Sequence, residues 1–375
     1  MNAERLNALL HHLRDDLKRT NLKQLMTQLT ASLQQLVQNP HPQHNQNVSA
    51  ALKAVLAAVE NSQIDSLSPA WKQMLEEIGY SECMGQRVAE RLNDSFRQAE
   101  ITPSIVKEEV DKLNAEVTKL DGAINNGIKA FSALTIGFED LGAGECELGF
   151  LIPKASIDFR LDEFADECRE FDFIFGTFSE IVTGERDGYR IRTISSSDLS
   201  VFLDSAPAVA ALIAATAERI LALYKQLLEI KKLRSEMLKQ DIPVEAFEAI
   251  DTHENTKLES SITEISAKII SDYRGQHEAG RANELENSLR ISLNKLANRF
   301  DRGFHLEVRV GSLPEPKEGD EDKHAALATS IQTIEKAAKP LQFVRPEGEP
   351  ILRLPEAQKK QAAKKSTSKQ SKPKG

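Results

Sequence analysis

Cysteines, aromatic residues and long apolar runs are all scarce in this chain, and each scarcity closes off a class of protein. Only three cysteines, Cys83, Cys146 and Cys168, occur among 375 residues. They are odd in number, far apart and form no CxxC pair, so neither a disulfide framework nor a zinc ribbon is expected. No apolar leader precedes Asp15 and Asp16. Together these features lead us to expect a protein of the reducing cytoplasm. The longest uncharged apolar stretch, Ser205 to Ala217, has thirteen residues and is closed by Glu218 and Arg219. It is too short to span a bilayer and reads as a buried helix. Aromatics make up only 5% of the chain, yet seven of the fifteen phenylalanines lie between Phe150 and Phe178. The best-packed core is therefore expected in the middle of the chain, with leaner leucine-rich helical seams elsewhere.

The net charge of −9 conceals a division. Residues 357–375 hold seven lysines and no acid, so −9 − 7 leaves −16 on residues 1–356. An acidic body repels phosphates and disfavours a broad nucleic-acid-binding face. The basic tail, rich in Lys, Ser, Gln and Ala, has too little apolar surface to fold alone and is expected to be disordered.

Helical periodicity dominates what remains. Residues 4–37 read as one amphipathic helix, with Leu22, Leu25, Leu29, Leu33 and Leu36 on one face. Asn39-Pro40-His41-Pro42 ends it, and a polar loop to about Asn47 precedes a helix over 49–60. Ser68-Pro69 opens a third helix that buries Trp71 and Met74, and another covers 84–98. From Thr102-Pro103 onward, Val110, Leu113, Val117, Leu120, Ile124, Ile128 and Phe131 follow steps of 3, 4, 3, 4, 4 and 3 residues. That is the seam of a helical hairpin or coiled coil.

The texture changes at Leu141-Gly142-Ala143-Gly144. Cys146, Leu148, Phe150 and Ile152 alternate as in a strand, while Phe164, Cys168, Phe171, Phe175, Phe178 and Val182 return to helical period. Tyr189 to Ile194 reads as a second strand, Ser195 to Asp198 as a helix cap, and a long helix follows Pro207. Two such strands, if parallel neighbours, need a right-handed crossover. Helices are expected over 244–250, 255–273 and 277–300. Phe304, Leu306, Val308 and Val310 then alternate with polar residues as a strand with one wet face. An acidic loop over 313–323, a helix over 324–338 and short extended pieces at 341–345 and 350–354 close the folded part. The expected fold class is α+β, predominantly α: helical hairpin or coiled-coil arms around a small β-α-β-α sheet unit, with a disordered basic C-terminal tail. The expected divisions are 1–100, 101–140, 141–242, 243–312, 313–356 and 357–375.

Catalytic signals are missing. Gly142 and Gly144 precede a strand, and no GK[ST] follows, so they read as a hinge and not as a phosphate loop. His11 and His12 are adjacent and diverge on a helix, and His41 and His44 sit in a loop with no carboxylate nearby. No metal or cofactor site is expected from them. GxSxG is absent, and Cys83 and Cys146 have no recognisable histidine partner. Glu307-Val308-Arg309 pairs a carboxylate with a base on a strand, which half-buried alternation already explains.

Two polar features remain as candidate sites. Glu163, Glu167 and Glu170 share a helix face at i, i+4 and i+7 and would repel one another unless paired, which makes them a candidate surface for a basic partner or for the tail itself. Lys359, Lys360, Lys364, Lys365, Lys369, Lys372 and Lys374 form a candidate polyanion-binding segment. The expected function is that of a non-catalytic scaffold or sensor subunit of a larger bacterial cytoplasmic complex. It would assemble with a protein partner or with itself through helical seams. The alternatives are a nucleic-acid-associated protein acting through the tail and an enzyme whose site assembles from distant residues.

Overall fold

A single asparagine divides the first amphipathic run. Asn21 takes the left-handed conformation (φ 52°), which short polar side chains tolerate. It separates α1 (Ala3–Thr20) from α2 (Leu22–Gln38), where one continuous helix was expected. The computed structural model describes residues 3–98, 102–137, 141–158, 160–195, 199–238, 248–273, 278–316, 319–345, 348 and 350–352. Among them are eleven α-helices and one four-stranded sheet, and the chain divides into two compact units, Met1–Asp140 and Leu141–Gly375. The tail lysines lie outside the described residues.

The first unit is helical: α1, α2, α3 (Pro42–Glu60), α4 (Pro69–Glu77), α5 (Gln86–Gln98) and α6 (Pro103–Ala133). The polar stretch after Pro42 is the first turns of α3, not a loop. Proline at the first helical position has no amide to waste, and the His41 ring accepts the Gln43 amide at 3.2 Å. Val110, Leu113, Val117, Leu120 and Ile124 of α6 are all buried, and α6 packs on α1, α2 and α5. The seam that suggested assembly is thus filled by helices of the same chain. Buried Asp16 fastens α1 to the end of α3 by accepting the Ser62 hydroxyl and the Gln63 amide, each at 2.8 Å.

The second unit is built on β1 (Cys146–Leu151), β2 (Ile191–Ser195), β3 (Ser200–Ser205) and β4 (His305–Val310), in the order β2-β3-β1-β4. Every pairing is antiparallel. The order after β1 is helix, strand, strand, helix. β3 was missed because its serine-rich approach reads as a helix cap; instead β2 and β3 form a hairpin, with Leu199 at φ 48°. The expectation of parallel neighbours fails, since β3 lies between β1 and β2: both pair antiparallel with it, so they run in the same direction without touching. Helices α7 (Leu161–Thr183), α8 (Pro207–Leu238), α9 (Glu248–Asp272), α10 (Ala279–Asp301) and α11 (Glu321–Leu341) complete the unit.

Cys146, Leu148 and Phe150 of β1, Val201 and Leu203 of β3, and Leu306 and Val308 of β4 form the apolar face of the sheet, packed with Phe171, Phe175 and Phe178 of α7 in one core. Burial of each such phenylalanine contributes about 1.5–3 kcal/mol. Ile191 and Ile194 stand opposite Leu203 and Val201, so they share that side. They lie on the outermost strand, however, and are 61% and 52% exposed. Ile191 and Ile194 are therefore left outside the core that the phenylalanine stripe forms with the sheet.

The opposite face of the sheet is not wet. Glu147 on β1 and Glu307 on β4 are both buried. In the same row as Glu307, Phe202 lies over Gly149, whose missing side chain leaves room for the ring. The turn before β1 is equally tight. Gly144 adopts φ +77°, its amide donates to the Ser312 carbonyl at 2.8 Å, and Gly311 passes against the Gly142 carbonyl.

Candidate interaction site

The acidic helix α7 and its partners on and just after α10 form a run of linked ion pairs. The apolar side of α7 is fixed by its stripe: Phe171 stacks on Phe150 with ring centroids 4.1 Å apart. That contact orients the other side toward α10. Glu167 is buried and lies 2.7 Å from both Arg299 and Arg302. Glu170 pairs with Lys295. Two turns or more further along, Glu180 receives Arg281 at 2.5 Å. As numbers rise on α7 they fall on α10, so the two helices run antiparallel and are joined by a ladder of ion pairs. Cations also stack on the phenylalanines between the rungs: Lys295 lies 4.9 Å from the Phe173 centroid, and Arg299 lies 5.4 Å from that of Phe171.

This arrangement changes the meaning of the three glutamates. They do share one side of α7, but Glu167 and Glu170 do not form an open acidic surface, because α10 supplies their counter-charges. Glu163 lies one turn before the ladder and is half-buried. Arg281, Lys295, Arg299 and Arg302 were visible as basic residues near a predicted helix, but the pairing depends on packing between elements far apart in sequence. At the exposed start of α7, Arg160 pairs with Asp162 and pushes its carboxyl down to about 2.

The three thiols are shifted toward their protonated forms. Burial pushes the Cys146 thiol up to about 11. Burial, together with a hydrogen bond to Glu116, does the same for Cys83. Cys168 shifts in the same direction, again through burial. A thiol that stays protonated is a poor nucleophile. The His11 ring bonds to Arg14 at 3.1 Å, and His12 packs edge-on to Trp71. Among the described residues no group of three His, Cys, Asp or Glu side chains is arranged to hold a metal ion. No protein-family model, curated protein or solved structure matches this chain.

Proposed function

We propose that this chain is a non-catalytic interaction subunit of a cytoplasmic assembly, and that it self-associates through β2 instead of through its helical seams. The observation that carries the reading is the placement of Ile191 and Ile194, two large apolar side chains held in solvent on the apolar side of the sheet. Elsewhere that side is covered by α7 and α8. A second copy related by a two-fold axis would bring the same two isoleucines against their counterparts and continue the core across the boundary. The coiled-coil-like spacing of α6 then serves to build the first unit, where its seam is filled in cis. The free thiols of Cys83, Cys146 and Cys168 support a reducing compartment.

Sedimentation equilibrium on the wild-type chain and on an Ile191→Lys, Ile194→Lys variant tests this. The expected result is a concentration-dependent dimer for the wild type and a monomer for the variant, with identical circular dichroism. A wild-type chain that stays monomeric at high concentration, or a variant that dimerises equally well, overturns it.

A further inference from the structure

Helix α2 turns its leucines inward and an uncharged face outward. Leu22, Leu29, Leu33 and Leu36 are buried where α2 packs on α3 and α6. On the other side Gln24, Thr27, Gln28, Ala31 and Gln35 are exposed. Solvated helix faces normally carry charged side chains. Charged residues make up 28% of this chain, so the 36 residues from Gln24 to Val59 would hold about ten at that frequency. They hold one, Lys53 of α3. An exposed face that keeps its polar atoms but loses its charges has the composition of the middle of a contact surface.

The face also has an order. A helix nearly repeats its orientation every seven residues, close to two turns. Gln24, Ala31 and Gln38 therefore stand in one central row, with Gln28 and Gln35 on one flank and Thr27 and Gln34 on the other. A two-fold axis crossing α2 at Ala31 reverses each row onto itself. It sets Ala31 against its own copy, Gln24 against Gln38, Gln28 against Gln35 and Thr27 against Gln34. The smallest side chain then lies on the axis, where the two helices approach most closely. A carboxamide both donates and accepts, so two of them satisfy one another without repulsion. Among the described residues, none bonds to the side-chain carboxamides of Gln28, Gln34, Gln35 and Gln38. Gln24 accepts from Asn21 at 2.9 Å and can still donate; Thr27 donates to the Lys23 carbonyl at 2.9 Å and can still accept. Lys23, the one charge on α2, is drawn to Asp121 of α6 at 2.6 Å.

We propose that the outer face of α2 is a contact with α2 of a second copy of this chain, the two helices antiparallel and meeting at Ala31. A charged partner would bury its charge against carboxamides that cannot neutralise it, and an apolar partner would leave those carboxamides without hydrogen bonds. A second copy does neither. The contact belongs to the first compact unit and does not rest on β2, which belongs to the second. It uses seven side chains of each copy, against the roughly 20–30 of a standard interface, so it is weak alone. It gains where copies are concentrated or already joined by another contact. A chain with a separate two-fold contact on each unit extends from a pair into a larger array.

Disulfide trapping on the full-length protein tests this, because it captures contacts too weak to persist on dilution. The series is run in the wild-type chain and in the Ile191→Lys, Ile194→Lys background, where the outcome does not depend on β2. The parent chains, with Cys83, Cys146 and Cys168 alone, set the background. Ala31→Cys is expected to trap a covalent dimer. Gln24→Cys and Gln38→Cys each stand about 20 Å from their own counterparts across the axis, so each should trap a dimer only when mixed with the other. Adding Gln28→Glu and Gln35→Glu to the Ala31→Cys chain sets like charges against each other and should slow trapping at least about tenfold. Gln28→Glu with Gln35→Lys makes the same positions complementary and should restore it. These substitutions lie on an exposed face, and circular dichroism checks that each variant is folded. The proposal fails if Ala31→Cys traps no more dimer than its parent, if the two charge variants trap at the same rate, or if Gln24→Cys and Gln38→Cys trap as readily alone as mixed.

Discussion

Glu167 and Arg299 meet at 2.7 Å with both side chains 2% exposed, which makes them the most deeply buried ion pair between α7 and α10 described in this chain. Removing one member strands the other charge in a place where water cannot reach it. Glu167→Ala is therefore expected to destabilise the fold by about 3–5 kcal/mol, whereas Glu167→Leu combined with Arg299→Met should cost less, since it leaves only the partly exposed Arg302 without its carboxylate. Asp166→Ala breaks a pair with Arg169 in which both side chains are largely exposed, and should change stability by less than about 1 kcal/mol. Urea unfolding of the three variants orders these effects. A Glu167→Ala protein as stable as Asp166→Ala contradicts the assignment.

The phenylalanine stripe and the β2 isoleucines give opposite expectations for apolar truncation. Phe171 and Phe175 are buried against Phe150, and replacing either with alanine is expected to cost about 3–5 kcal/mol. Ile191→Ala, at an exposed edge position, is expected to stay within about 0.5 kcal/mol when measured at a dilution where the chain is monomeric. Comparable losses at Phe171 and Ile191 would mean that β2 is covered in solution under the conditions of measurement.

These contrasts show what periodicity reports. Spacing along a helix fixes which residues share a face, and the faces of α6 and α7 were legible for that reason. Spacing does not report what a face meets. The α6 seam, read as that of a helical hairpin or coiled coil in the same chain or a second copy, meets α1, α2 and α5 of the same chain. The acidic side of α7, read as an open surface, meets the basic residues of α10. The same limit applies to strands. Alternation placed Leu306 and Val308 inward correctly, but the exposure of Ile191 depends on strand order, which a missed β3 made unreadable. Asp301 carried no signal at all, since its partners are main-chain amides fifty and fifty-one residues away.

Gly311 is expected to tolerate no side chain. A Cβ there would run into the Gly142 carbonyl, a main-chain atom held by its own hydrogen bond from the Glu145 amide at 3.0 Å. Gly311→Ala should therefore separate the turn before β1 from the end of β4 and lower stability by about 1–3 kcal/mol. Gly188→Ala, where a Cβ meets open space, is the control and should be near neutral. Thermal melts that cannot distinguish the two would contradict the close approach.

His305, on β4, supplies a pH dependence whose sign is fixed. Burial lowers its pKa from the ordinary value of 6.5, and a hydrogen bond with the Phe343 main chain works in the opposite direction. The folded state therefore prefers the neutral ring. Its stability is fully present above pH 6.5 and falls as pH drops below the unfolded value toward the lowered folded one. A His305→Asn variant should lose this component, so the difference in denaturation midpoint between wild type and variant should change across that window. A difference that is constant with pH rules the assignment out.

The basic tail separates the remaining expectations. Residues 357–375 carry +7 and the rest of the chain −16, so affinity for DNA or RNA is expected to reside almost wholly in the tail lysines. Attraction from such a segment ignores sequence and fades steeply as salt rises. Binding titrations at two salt concentrations should show weak, salt-sensitive affinity for the full chain and none for residues 1–356. Equal binding by both proteins would place a basic surface on the body instead. The alternative partner for the lysines was the acidic side of α7, and the ion-pair ladder bears directly on it. Glu167 already faces Arg299 and Arg302, and Glu170 faces Lys295, so changing either glutamate perturbs the fold before it frees any lysine. The informative substitution is Glu163→Gln, one turn outside the ladder. If Glu163 does not compete for the tail, this variant binds nucleic acid with unchanged affinity and an unchanged salt slope. Tighter binding would show that the tail folds back onto the start of α7 and that the ladder leaves room for it.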